Sequence, residues 1–197
     1  MNLPQTKTTL ADYLDFERGS TERHQFVDGE IFAMAGESLG HSTINTNIII
    51  SLGIQLRSKP CRVLSPNMKI RSGPADAHSM KGLFSYADAS VVCGEPRFHD
   101  KHQDVLLNPK LLAEVLSPST EAFDRGDKFL RYSAYLDSFT DYLLASTVEP
   151  RLEHFSREAA NRWVYTCISG LDGCLPLPSL GCRLELSEVF DGVIFES

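Results

Sequence analysis

Two apolar, β-prone runs each carry an acid where a buried strand has no place for a free charge. Asp88 sits in Tyr86-Ala87-Asp88-Ala89-Ser90-Val91-Val92, and Glu114 in Leu111-Leu112-Ala113-Glu114-Val115-Leu116. An ionised carboxylate buried alone costs on the order of several kcal/mol. A chain with this pattern therefore has to bring a cation or a metal to each acid. Two carboxylates on neighbouring strands can project to one point. Such oxygen ligands, with open positions left for water, suit Mg²⁺ or Mn²⁺.

The rest of the chain supplies a frame for those strands. Thr9 and Asp12 resemble a capping box ahead of a short helix carrying Leu10, Tyr13, Leu14 and Phe16. Arg23 to Ala35 reads as a hairpin, with Asp28-Gly29 as a type I′ turn. Ser38 or Ser42 caps a second helix running to about Arg57, with Ile44, Ile48, Leu52 and Leu56 on one stripe, and Pro60 ends it. Strands are expected over 61–71 with a break at Ser65-Pro66, over 85–93, 111–116, 139–146, 152–155 and 162–168. A helix runs from the Ser117-Pro118-Ser119-Thr120 break to about Leu136. The segment 184–195 carries no clear pattern. This order predicts a single α/β (α+β) domain over residues 1–197, with a mixed central sheet flanked by helices.

The helix after Glu114 brings the positive charge. Lys128, Arg131 and Tyr132 fall at i, i+3 and i+4, with Arg125 one turn earlier, so all four are expected on one face. If that helix returns across the sheet, Lys128 reaches the end of the Glu114 strand. A metal between two carboxylates beside a lysine suits phosphodiester hydrolysis. The metal polarises the phosphoryl oxygens and acidifies a bound water. The lysine orients that water or offsets charge growing on the phosphate oxygens.

These residues resemble the restriction-endonuclease-like family common in bacterial genomes, a branch of the PD-(D/E)XK nuclease superfamily. The resemblance runs from about Tyr13 to Phe190. It rests on 22-ERHQFVDGEI-31, 68-MKIR-71 and 86-YAD-88, and most strongly on 114-EVLSPST-120 with Asp124-Arg125-Gly126-Asp127-Lys128-Phe129 and Tyr132. It implies a restriction endonuclease-like core and metal-dependent cleavage of DNA. Asp88 then matches the first motif acid and Glu114 the second. Ala87 stands where the superfamily has proline, and Leu116 where it has the motif lysine. The resemblance places that lysine on the following helix, at Lys128. It also implies Glu30 as a third metal ligand or a neighbour of one, and a homodimer. His41, which opens the second helix, and Lys69, on the strand before Asp88, are expected as contacts to substrate phosphate.

Net charge is −7, which opposes a polyanion unless the bases are gathered somewhere. Residues 38–75 contain no Asp or Glu but hold Arg57, Lys59, Arg62, Lys69 and Arg71. With Arg125, Lys128 and Arg131 as a second stripe, they are expected to form a local phosphate-binding surface. Five cysteines without a CxxC pair read as unbonded thiols of a reducing compartment. The apolar runs are too short to span a bilayer and the N-terminus lacks a signal-peptide pattern, so a cytoplasmic location and no membrane partner are expected. His99-Asp100 superficially matches a phosphohydrolase dyad but lacks a second His or Asp motif at helical spacing. Two alternatives to a nuclease follow from Leu116 and the acidic surface: an inactive nucleic-acid-binding module on the same fold, or a module whose partner is another protein.

Overall fold

The computed structural model describes residues 7–195. In chain order the elements are α1 (Leu10–Gly19), β1 (His24–Val27), β2 (Glu30–Ala33), α2 (Leu39–Leu56), β3 (Cys61–Leu64), β4 (Lys69–Ser72), β5 (Leu83–Tyr86), β6 (Ala89–Cys93), β7 (Val105–Leu106) and β8 (Leu111–Val115). Next come α3 (Glu121–Phe123), a π-helical turn (Asp124–Lys128), α4 (Phe129–Tyr135), β9 (Asp141–Ala145), β10 (Arg151–Ala159), β11 (Arg162–Ser169), β12 (Cys174–Leu177), β13 (Cys182–Glu185) and α5 (Leu186–Val189).

A six-stranded sheet in the order β11-β10-β9-β8-β6-β3 forms the centre. It is mixed, because β8 and β9 run parallel while their outer neighbours pair antiparallel. The parallel step requires a crossover, and the helical segment from α3 to α4 provides it. The apolar stripe of α2 (Ile44, Ile48, Leu52 and Leu56) packs with Ala113 and Val115 of β8 in one cluster. Leu112, Leu116 and Leu144 belong to another cluster with Tyr132 of α4. This is the expected mixed sheet flanked by helices.

The second sheet, β2-β1-β5-β4-β7, carries the hairpin. Its turn is the expected type: Asp28 and Gly29 both have positive φ, at 48° and 94°. Phe26 is fully buried and packs beside Tyr13 and Phe84. Caps form at Thr9 and Ser38, whose hydroxyls accept from the backbone N–H of Asp12 and His41.

Three expectations change. The run 85–93 is not one strand: β5 ends at Tyr86 in the second sheet and β6 begins at Ala89 in the central one. Asp88 thus occupies the crossing between sheets. The patternless segment 184–195 forms the end of β13 and α5, and with β12 they pack under α2. And the five cysteines are not all thiols. Cys61 and Cys93 are directly opposite on β3 and β6 and form a disulfide. Strand register brings them to a Cα–Cα distance of 4.0 Å, which a spacing of 32 residues does not reveal. Cys167, Cys174 and Cys182 are free. Among the described residues, no helix is long and apolar enough to cross a membrane.

Candidate active site

The acids of the two apolar runs meet in a cleft of about 570 Å³. Its floor is the crossing at Ala87-Asp88 and the end of β8. Its walls are the β1–β2 hairpin with the segment leading to α2, and the loop Ser117–Thr120 with the π-helical turn. Asp88 is held at both oxygens: Oδ2 accepts from the Val115 backbone N–H at 2.7 Å, and Oδ1 lies 3.0 Å from His41 Nε2. The crossing therefore fixes Asp88 against the residue that follows Glu114.

Glu114 points to the helical side of the sheet and is 3% exposed. Lys128 Nζ stands 2.8 Å from its Oε1 and 3.0 Å from Asp124 Oδ1, and is 6% exposed. Lys128 thus sets its ammonium against the buried Glu114 carboxylate oxygen. Burial raises the Glu114 carboxyl well above its ordinary range. Lys128 opposes that rise, while the charges of Asp124 and Asp88 add to it. Burial alone would lower Lys128, but Glu114, Tyr132 and Asp124 outweigh it and hold the ammonium well above its ordinary range. The two shifts differ in origin: burial drives the rise at Glu114, whereas the neighbouring acids drive the rise at Lys128.

The π-helical turn is what delivers Lys128. Such turns insert an extra residue into a helix and are frequent at functional sites. Here Asp124 and Lys128, on that turn, both face the buried site. The Tyr142 hydroxyl donates to the Asp124 carbonyl at 2.9 Å, anchoring the turn to β9. Leu116, in the position of the superfamily's lysine, is buried in the apolar cluster around Tyr132.

His41 opens α2, and Glu37 lies one turn before it on the exposed rim. Glu37, His41 and Asp88 offer ligand atoms that all lie within 4.8 Å of one another. Burial lowers the His41 imidazole, but the hydrogen bond and charge of Asp88 prevail and leave it above its ordinary value. Four carboxylates (Glu37, Asp88, Glu114 and Asp124) face two fixed cations, Arg23 and Lys128, in this cleft. A phosphate entering it meets net negative charge unless a cation enters too.

A family model described as "Uma2: Putative restriction endonuclease" matches residues 10–187. The chain belongs to the Uma2 family. Two uncharacterized proteins of Synechocystis sp. (strain ATCC 27184 / PCC 6803 / Kazusa) are similar to it. One, sll1609, is 30% identical over 162 residues, covering 82% of this chain and 88% of that protein. The other, slr1290, is 31% identical over 192 residues, covering 98% and 96%. Among solved structures, a protein described as "a putative nuclease belonging to DUF820", from Anabaena variabilis ATCC 29413, superposes with a TM-score of 0.74. That match covers 94% of this chain and 99% of that one at 14% identity, and so speaks to the fold.

The remaining residues expected from the sequence in this Uma2 chain lie elsewhere. Glu30 is exposed on β2 and does not line the cleft. Its register partner is Val27, next to the turn, about 7 Å along the strand from the Gln25–Phe32 pair that does line it. Arg125 reaches away to Glu153 on β10, at 2.5 and 2.8 Å, because the widened turn takes it off the Lys128 face. Arg131 pairs with Asp28 at 2.6 Å and Lys69 with Asp104 at 3.1 Å. The basic surface expected over 38–75 is not built. Besides Lys69, Lys59 caps carbonyls of the β12–β13 turn and Arg71 is buried against His99, leaving Arg57 and Arg62 exposed. His99-Asp100 is likewise spent on Arg71 and Arg18. Glu37 and Arg23 were not anticipated as cleft residues, and Asp124 reads from the sequence more as a first-turn acid favoured by the helix dipole than as a ligand. Asp124 stood in the quoted helix motif. Arg23 stood in the quoted hairpin motif, while Glu37 carries no sequence signal, since its position depends on the exit from the hairpin.

Proposed function

We propose that this protein is a divalent-metal-dependent nuclease that hydrolyses phosphodiester bonds in DNA. The observation that carries the reading is the convergence of Glu37, His41 and Asp88 beside the buried Glu114–Lys128 pair in one acidic cleft. The donor set fits a divalent cation. It combines carboxylates with one imidazole and it has excess negative charge. Asp88, His41 and Glu37 would hold the ion, with Glu114 as a further ligand. An imidazole among carboxylates shifts the preference from Mg²⁺ toward Mn²⁺. When bound, the metal supplies Lewis-acid polarisation of the phosphate and a more acidic water.

The protein's own groups divide the remaining work. Lys128 takes the role that the lysine of the strand has elsewhere in the superfamily, with its ammonium placed from the helix instead. Held firmly protonated, it offsets charge growing on the phosphate oxygens. The Val115 N–H fixes Asp88 in orientation, so that its carboxylate needs no rearrangement when substrate enters. A homodimer would present two such clefts for two strands.

The test is cleavage of plasmid and of circular single-stranded DNA with Mg²⁺ or Mn²⁺ and with EDTA. Wild type should cut only with metal, and Asp88→Asn and Lys128→Met should abolish cutting. Activity that survives both substitutions returns Glu114–Lys128 to a structural ion pair and ends the proposal.

A further inference from the structure

The β1–β2 hairpin has two faces, and the part of one face away from the turn is not explained by packing. The Phe26↔Ile31 pair turns toward the core, where Phe26 is fully buried and Ile31 packs beside it, while Ala33 at the open end is exposed and lines the cleft. On the other face Val27, beside the turn, packs against the cluster around Tyr132. Farther from the turn the pairs are Gln25↔Phe32 and, one step on, Arg23 beside Met34, whose N–H donates to the Arg23 carbonyl at 2.9 Å. All four side chains line the cleft.

Phe32 is 42% exposed and belongs to none of the apolar clusters, and neither does Met34. The Gln25 amide has no hydrogen-bond partner among the described residues. Arg23 uses one nitrogen on the Pro66 carbonyl at 3.2 Å and rests 5.7 Å from the Tyr86 ring centre. A ribbon face thus offers an aromatic ring, a thioether, a free amide and a guanidinium to a cleft floored by carboxylates.

Phosphate chemistry accounts for Arg23 but not for the other three. A nucleobase accounts for them together. Its face stacks on phenyl and packs on thioether, its edge pairs with an amide, and the adjoining phosphate meets the guanidinium. A base can offer its face only when it is out of the duplex stack. The cleft, at about 570 Å³, has room for a nucleotide.

Resting on the nuclease reading, we infer that the face formed by Arg23, Gln25, Phe32 and Met34 is a platform for an unpaired nucleobase, and that the substrate strand is single-stranded at the site of cleavage.

The experiment is fluorescence anisotropy of a labelled oligodeoxynucleotide with the full chain in Ca²⁺, used to support binding in place of the catalytic metal. The single strand, its duplex and the same strand with central abasic positions are compared. The single strand should bind at least tenfold tighter than the duplex. Phe32→Ala and the abasic strand should each lose about tenfold, the size of one lost base–aromatic stack. Phe32→Trp should retain affinity. Because Phe32 is half in solvent, circular dichroism should show the alanine variant folded. Equal affinity for duplex, or no loss in Phe32→Ala, overturns the inference. Duplex cleavage that needs Asp88 but not Phe32 overturns it while leaving the nuclease reading intact. Base-dependent binding without any metal-dependent cleavage supports the platform and overturns the nuclease reading instead.

Discussion

Lys128 Nζ lies 2.8 Å from Glu114 Oε1, joining a helical turn to the end of a buried strand, and both side chains are almost wholly out of water. Neither charge is tolerable there alone. Lys128→Met should cost about 3–5 kcal/mol of stability, because it strands Glu114 and Asp124 without a counter-charge. Adding Glu114→Gln should recover a good part of that loss, while activity stays absent in both. Urea unfolding of the two single variants and the double one gives the coupling directly. Independent, additive losses would contradict the pairing.

Glu37 separates binding from folding. It is exposed on the cleft rim, and its one assigned task is to complete the cluster with His41 and Asp88. Glu37→Gln should weaken Mn²⁺ binding by about tenfold or more, the scale seen when a group that supports a metal site is lost. Its melting temperature without metal should match wild type. Calorimetric titration and thermal unfolding on the same samples check both halves. Unchanged affinity would remove Glu37 from the ligand set.

The two acidic runs, the helix caps, the Asp28-Gly29 turn and the long stripe of α2 were legible because each is written in local spacing. The convergence of Glu114 and Lys128 was legible for a related reason: a buried acid demands a partner, and the helix after it held the cations. What escaped depended on long-range register. Cys61 and Cys93 face one another only because β3 pairs with β6 in that register. Arg125 seemed to share the Lys128 face because regular α-helical spacing was assumed, and the π-helical turn breaks it. The bases of 38–75 looked like a surface because a sequence shows charges without their partners. Lys69 finds Asp104, and Lys59 and Arg71 find carbonyl oxygens.

The cysteines give a counting test. Denatured without reductant, the protein should show three reactive thiols, from Cys167, Cys174 and Cys182. After reduction it should show five. Closing the loop between Cys61 and Cys93 restricts the unfolded chain, so reduction should lower stability by about 3 kcal/mol. Thiol titration with and without reductant, alongside denaturant melts, measures both. Five thiols before reduction would show that the cross-strand pair stays open.

Arg131 ties the hairpin turn to the helix that follows Lys128, through Asp28 at 2.6 Å. The hydrogen bond from Arg131 holds the Asp28 carboxyl down at about 2, below its ordinary 3.8, although burial pushes the other way. A depressed carboxylate pKa means the pair contributes fully above about pH 4. That contribution fades as pH falls through the folded value near 2. The two groups are partly exposed, so the pair is worth no more than about 1 kcal/mol. Arg131→Ala should therefore melt slightly below wild type at neutral pH, with the gap closing between about pH 4 and pH 2. Because the same hairpin carries Phe32 and Gln25 into the cleft, Arg131→Ala should also weaken single-strand binding, though it touches no substrate. A gap in melting temperature that persists unchanged at pH 2, or binding equal to wild type, would show that the hairpin holds its place without this pair.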